Sequence, residues 1–280
     1  MLCEFLQQLS IEITARQIDK LPTLREKLRH GTRVFITLID PAEVAGQLRA
    51  ARELTAAGFI AVPHIPARFI RDLDDLKSRL GAFAAAGVTE VLALGGGAAH
   101  PVGIYDAAIR LLETGVFEAN GIARIGVAGH PEGNTDITRA HGEAALLEAL
   151  KHKQAWLRSA KIEGFIATQF LFEAAPVAAW AKILRGEGID LPIHVGVPGP
   201  ATIKTLVKYA TMCGVGNSAR LIRKQAMNIA KLLTVNTPDA FVEDLAKLHA
   251  AQPELGIAGP HLYPFGGFDK LFDWVGPKLA

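Results

Sequence analysis

Two polar residues set in apolar surroundings are the first places in this chain where chemistry could be done. Gln169 lies near the end of GFIATQFLFE (164–173), an almost wholly apolar run with no charge before Glu173 that reads as a strand buried on both faces. A buried amide must find partners or cost a few kcal/mol. It would suit a ligand edge that both donates and accepts. Glu12 lies between Ile11 and Ile13 in SIEIT (10–14), and strand alternation turns it to the face opposite its two neighbours. Pointing inward and partly desolvated, its carboxyl would have a raised pKa and act as a general acid near neutrality. The competing reading is a salt-bridged glutamate on a frayed first strand.

Weaker signals accompany these two. Gly95-Gly96-Gly97 after VLAL, and Phe265-Gly266-Gly267 near the end, could let backbone approach a phosphate, or be plain turns. Five histidines, His64, His100, His130, His194 and His261, lie in or just after strand-like runs, where each could meet a ligand or serve as a hydrogen-bonded structural residue. Lys153 and Arg158, in a helical stretch, read by default as solvated charges. No HExxH and no HxH pair on a strand is present, so a metal site is not expected.

These residues need a scaffold that brings strand ends together. Eight short strand-like runs fall at 10–14, 33–39, 59–63, 90–94, 124–128, 164–170, 192–197 and 258–263, with helical segments between most of them. Eight βα units in 280 residues match an α/β (β/α)8 TIM-type barrel, whose sites form at the carboxyl ends of the strands. Asp40-Pro41-Ala42-Glu43 opens a helix ending near Gly58, and Thr237-Pro238-Asp239 opens another. Two helical segments, 218–233 and 237–252, occupy the space between strands seven and eight, where one would suffice. No linker or repeat interrupts the chain, so residues 1–280 are expected to form one catalytic barrel domain. The mouth so assembled is polar, glycine-rich and nearly uncharged, which suits a large flat ligand.

Composition narrows the function classes. Thirty Lys+Arg against 28 Asp+Glu, with no long run of one sign, leaves no footprint for nucleic acid. Two cysteines make no disulfide framework, and the amino terminus has neither a basic region nor a long apolar core. A cytoplasmic protein without membrane association is expected.

Several stretches together resemble the methylenetetrahydrofolate reductases: IEIT, VFIT, PHI, VLALGGG, IGVAGHPEG, LKHK, FIATQFLFE and HLY, in the family's order across nearly the whole chain. VAGHPEG and ATQFLFE are the specific pieces. The resemblance implies FAD as cofactor, NADH or NADPH as reductant, 5,10-methylenetetrahydrofolate as substrate, and a homo-oligomer. It matches Glu12 to the family's general acid and Gln169 to the residue that bonds the pterin. Thr37, His64, Ala128, His130 and Lys153 match positions around the flavin, with Arg158 the ungapped rival of Lys153. The chain departs from the pattern at Gly97, where the family carries an aspartate near the flavin, at His130 in place of a tyrosine, and at Leu146 in place of an aspartate. Two alternatives stand beside the reductase: a phosphate-binding lyase or isomerase without flavin, and a non-catalytic folate- or flavin-binding subunit.

Overall fold

The computed structural model describes residues 1–212 and 234–279. Each of the eight strand-like runs forms a strand: β1 (Ser10–Thr14), β2 (Arg33–Thr37), β3 (Ile60–Pro66), β4 (Glu90–Leu94), β5 (Arg124–Gly129), β6 (Glu163–Phe170), β7 (Ile193–Pro198) and, as the last of the eight, β10 (Ile257–Tyr263). They close a barrel in the order β1-β10-β7-β6-β5-β4-β3-β2, with β1 and β2, β2 and β3, β3 and β4, β4 and β5, and β7 and β10 paired in parallel. This is the expected (β/α)8 architecture. The helices Ile203–Met212 and Asp239–Ala251 both fall between the seventh and eighth barrel strands. The helical segment expected at 218–233 lies outside the described residues. A two-stranded antiparallel ribbon, β8 (Ala201–Thr202) with β9 (Val235–Asn236), was not anticipated, since two residues carry no periodicity.

Local signals act as the sequence suggested, with one change. The Asp40 carboxylate accepts from the Ala42 N–H at 2.9 Å and caps a 3₁₀ turn, Pro41–Glu43, that leads into the helix Val44–Ala56. Gly58 beyond it has φ +83°, a left-handed conformation that favours glycine. Asp239 does more than open a helix. It accepts from Trp274 Nε1 at 2.9 Å and pairs with Lys278 at 3.0 Å, tying the carboxyl-terminal helix Phe268–Leu279 to the helix it begins.

Internal contacts divide the chain into two compact units. The first joins Ser10–Ala128 to Lys151–Ile166, and the second joins Met1–Leu9, Gly129–Leu150 and Ala167–Ala280. Inside the first unit, Glu12 pairs in register with Phe35, and Phe35 with Val62. The Phe35 ring meets Phe165 edge-on, with centroids 6.0 Å apart and planes at 88°. A Cβ on Gly126 would strike the Phe165 ring and come within 2.9 Å of Leu92 Cδ1, so only glycine fits beside that phenylalanine. β2 and β6 are not neighbours in the sheet, so a contact between their rings crosses the barrel interior. In-register neighbours of a parallel sheet face the same way, so Glu12 points inward with Phe35.

The amino ends of three strands carry a charged cluster. Arg33 donates to Glu90 through Nε at 2.7 Å and Nη2 at 2.9 Å, and the Arg124 guanidinium lies 4.9 Å from the Phe165 ring centroid. These residues begin β2, β4 and β5, at the end of the barrel associated with stability rather than catalysis.

Candidate functional site

The first unit brings together one pair of the residues singled out from the sequence. Glu12 Oε2 and His64 Nε2 are 3.5 Å apart, with side-chain exposures of 17% and 11%. Glu12 sits on β1 beside Phe35, and His64 comes two residues after Val62 on β3, so the alternation of strands puts both on the inner face. Burial pushes the Glu12 carboxyl up from its ordinary 4.5 to about 7, against a smaller lowering by His64. The salt-bridged glutamate on a frayed strand is thereby replaced by an inward acid that keeps its proton close to neutrality.

The backbone under this pair is held by a residue the sequence reading passed over. Pro63 has no N–H to give, and the β2–β3 register ends at Ile36 and Pro63, while the β3–β4 register begins at His64. Gln47, buried on the helix Val44–Ala56, donates into this break: its Nε2 bonds Ile36 O at 2.8 Å and His64 O at 3.0 Å. The signal was present in the sequence, since Gln47 shares the spacing of Ala50, Ala51 and Leu54 on the buried stripe. An amide on an apolar stripe needs a backbone partner.

Other expected residues of this unit occupy strand ends, a loop and a helix. Thr37 ends β2, and its Oγ1 is buried without a hydrogen-bond partner among the described residues. Ala128 lies in β5, partly buried. Gly97 follows β4 in open space, with nothing within 4 Å of where a Cβ would stand, and its φ lies outside the left-handed region, unlike that of Gly96 at +91°. No backbone or packing demand therefore makes residue 97 a glycine. The loop that follows is tied down by Arg68, which donates to Ala98 O at 2.9 Å and Asp106 O at 3.1 Å.

Lys153, read from sequence as a solvated charge by default, is partly buried on the helix Ala144–Ala160, and desolvation lowers its amine from 10.5 to about 8. Arg158 on the same helix is exposed. Of the two rival cations, Lys153 is the one withdrawn from solvent.

In the second unit, Gln169 is partly buried near the end of β6 and its main chain is locked. Thr168 Oγ1 donates to Gln169 O at 2.7 Å and accepts from the Gly196 N–H at 2.8 Å, while Tyr263 OH donates to Thr168 O at 3.1 Å. A Cβ on Gly196 would stand 2.5 Å from Gln169 O, so this close approach requires glycine. His261 is buried with its ring 4.8 Å from that of Tyr263, and burial lowers its pKa to about 3, which keeps it neutral. His130 follows β5 in a turn closed by Gly133 N–H to His130 O at 3.0 Å. A cleft of about 210 Å³ in the same unit is lined by Phe172, Glu173, Gly199, Leu206, Thr237 and Phe241, and holds none of the residues matched to the reductase family.

No family model matches the chain. Among solved structures it is similar to triosephosphate isomerase from Bartonella henselae, at 10% identity over 74% of this chain and 88% of that one, with a TM-score of 0.43. It is also similar to dihydropteroate synthase from Thermus thermophilus in complex with 6HMPPP, at 11% identity over 94% and 89%, with a TM-score of 0.49. Oxaloacetate acetylhydrolase in complex with 3,3-difluorooxalacetate is similar at 10% identity over 94% and 77%, again with a TM-score of 0.49. No described helix is long and apolar enough to cross a membrane.

Proposed function

We propose that this chain is a flavin-dependent reductase that converts 5,10-methylenetetrahydrofolate to 5-methyltetrahydrofolate, with Glu12 as the proton donor. One observation carries the reading: an inward carboxyl on the first barrel strand whose pKa is raised to about 7 by burial. A donor of that strength is poised near neutral pH, where general acid catalysis is most effective. Its proton would go to N10 of the folate, opening the five-membered ring.

The residues present are compatible with a flavin adenine dinucleotide. The buried Thr37 hydroxyl, without a hydrogen-bond partner among the described residues, suits a group that offers one. The desolvated Lys153 amine suits an anion such as a phosphate, and the open space at Gly97 allows close approach to the backbone. Bound there, the flavin would supply the hydride. In the first unit Lys153 would offset phosphate charge and Thr37 would orient the cofactor; in the second, the resemblance matches His130 to a cofactor contact and Gln169 to the amide edge of the pterin.

A second reading draws on the same lysine. An amine lowered to about 8 is also suited to nucleophilic or base chemistry in a lyase or isomerase that uses no flavin. A visible spectrum recorded anaerobically, before and after adding reduced nicotinamide, separates the two. A yellow protein bleached by NADH or NADPH supports the reductase. A protein that stays colourless when flavin is added supports the lyase or isomerase. In the reductase, Glu12→Gln should abolish folate reduction while flavin reduction by the nicotinamide continues, and equal loss of both half-reactions would remove the proton-donor role.

A further inference from the structure

We propose that His64 is the group that returns a proton to Glu12 between turnovers, a role that rests on Glu12 being the donor. Once Glu12 has given up its proton it is a carboxylate facing an apolar barrel interior, where ionised groups are disfavoured. The charge of His64 acts on Glu12 and lowers its pKa. Its Nε2 is 3.5 Å from Glu12 Oε2.

The ring is held in place from two directions. The Phe35 ring meets the imidazole edge-on, with centroids 6.2 Å apart and planes at 81°. Gln47 fixes the main chain at His64 O. A side chain kept beside its acid by Phe35 and Gln47, and 11% exposed, is arranged to pass a proton to it. An imidazole is the side chain whose unperturbed pKa suits it to exchange protons with water near neutral pH.

The step balances without a redox change. Hydronium or a buffer acid protonates the ring to imidazolium. The Nε2–H bond then breaks as Oε2–H forms, which leaves a neutral imidazole and a carboxylic acid. His64, matched by resemblance to a flavin contact, would thus serve the acid instead.

The test begins on ligand-free protein, so that it does not depend on the reductase reading. Infrared titration of the Glu12 carbonyl band, assigned by its loss in Glu12→Gln, gives the midpoint of the acid. In His64→Gln, which keeps a polar side chain but cannot titrate, the midpoint should rise by about one pH unit, because an attractive charge has been removed. His64→Asn should do the same, and circular dichroism checks that both variants fold. In the enzyme assay, repeated turnover at pH 8 should fall at least about tenfold further than the first turnover does, and added imidazole should restore it. An unmoved midpoint in both folded variants overturns the pairing. Equal losses in first and repeated turnover, without imidazole rescue, overturn the relay. Absence of any folate reduction in the parent protein would count against the proposed reductase while leaving the infrared result to judge the pair.

Discussion

Replacing Glu12 by Gln should stabilise the protein at alkaline pH and leave it little changed at acid pH. In the unfolded chain the carboxyl releases its proton near 4.5, and in the folded protein at about 7, with burial as the main cause and His64 opposing it. Between those values the folded state binds more protons than the unfolded one, so stability falls as pH rises. The contribution is fully present below 4.5 and is lost as pH passes through about 7. A shift of this size corresponds to about 3 kcal/mol once the loss is complete, at 1.36 kcal/mol per unit. With a side chain only 17% exposed, solvent screening reduces that figure little. Glutamine has the same shape and no charge to desolvate. Urea unfolding of both proteins at pH 4.5 and pH 8.5 should therefore give nearly equal stabilities at the lower pH and a variant more stable by about 2–3 kcal/mol at the higher. In thermal scans this is a rise of roughly 4–10 °C for a chain of this size. A difference that does not vary with pH, or a parent that is the more stable at pH 8.5, would refute an inward, desolvated carboxyl.

Three further outcomes follow from the same structure. Lys153→Met should stabilise the ligand-free protein at pH 7 by up to about 3 kcal/mol and have no such effect above pH 10.5, because the depressed amine contributes stability only at high pH and loses it as pH falls through about 8; urea midpoints at the two pH values measure this. Arg33→Ala should cost about 2 kcal/mol in urea unfolding by leaving the buried Glu90 without its bidentate partner, with Arg124 limiting the loss, and should leave the Glu12 infrared midpoint where it was. Gly97→Asp should change stability by no more than about 0.5 kcal/mol, since nothing crowds that position, and should make the potential of a bound flavin more negative in a spectroelectrochemical titration.

The barrel was legible because its signal is repeated. Eight apolar runs separated by helical segments leave few other folds for a chain this long, and an error of a few residues at one end, as at Ile39 beyond the end of β2 or Phe59 before the start of β3, changes no topology. The inward face of Glu12 was only half legible. Alternation separates it from Ile11 and Ile13, but whether that face meets the helices or the interior depends on closure of the sheet, and closure is a property of all eight strands. Residues that act through long-range contacts left the faintest trace. Thr168, Gly196 and Tyr263 lie on three strands far apart in sequence, and their mutual hydrogen bonds follow only from the register of those strands.

Lys153 shows why a local reading can mislead in a definite direction. On a helix wheel a lysine is assigned to solvent because most lysines are there, and one residue type carries no information about what the rest of the chain stacks over it. Once the helix Ala144–Ala160 is packed, the amine is withdrawn from water, and desolvation is the cause of its shift. Glu12 shows the same imbalance, with burial outweighing the attraction of His64. Two ionisable groups in the same compact unit, each with a desolvation cost that its neighbours do not fully offset, weaken the folded chain in the absence of ligand. A bound anion against Lys153 would offset the cost of that amine, and a hydrogen-bond donor against the ionised Glu12 carboxylate would offset the other, so ligands of either kind are expected to raise the thermal midpoint between pH 7 and 8.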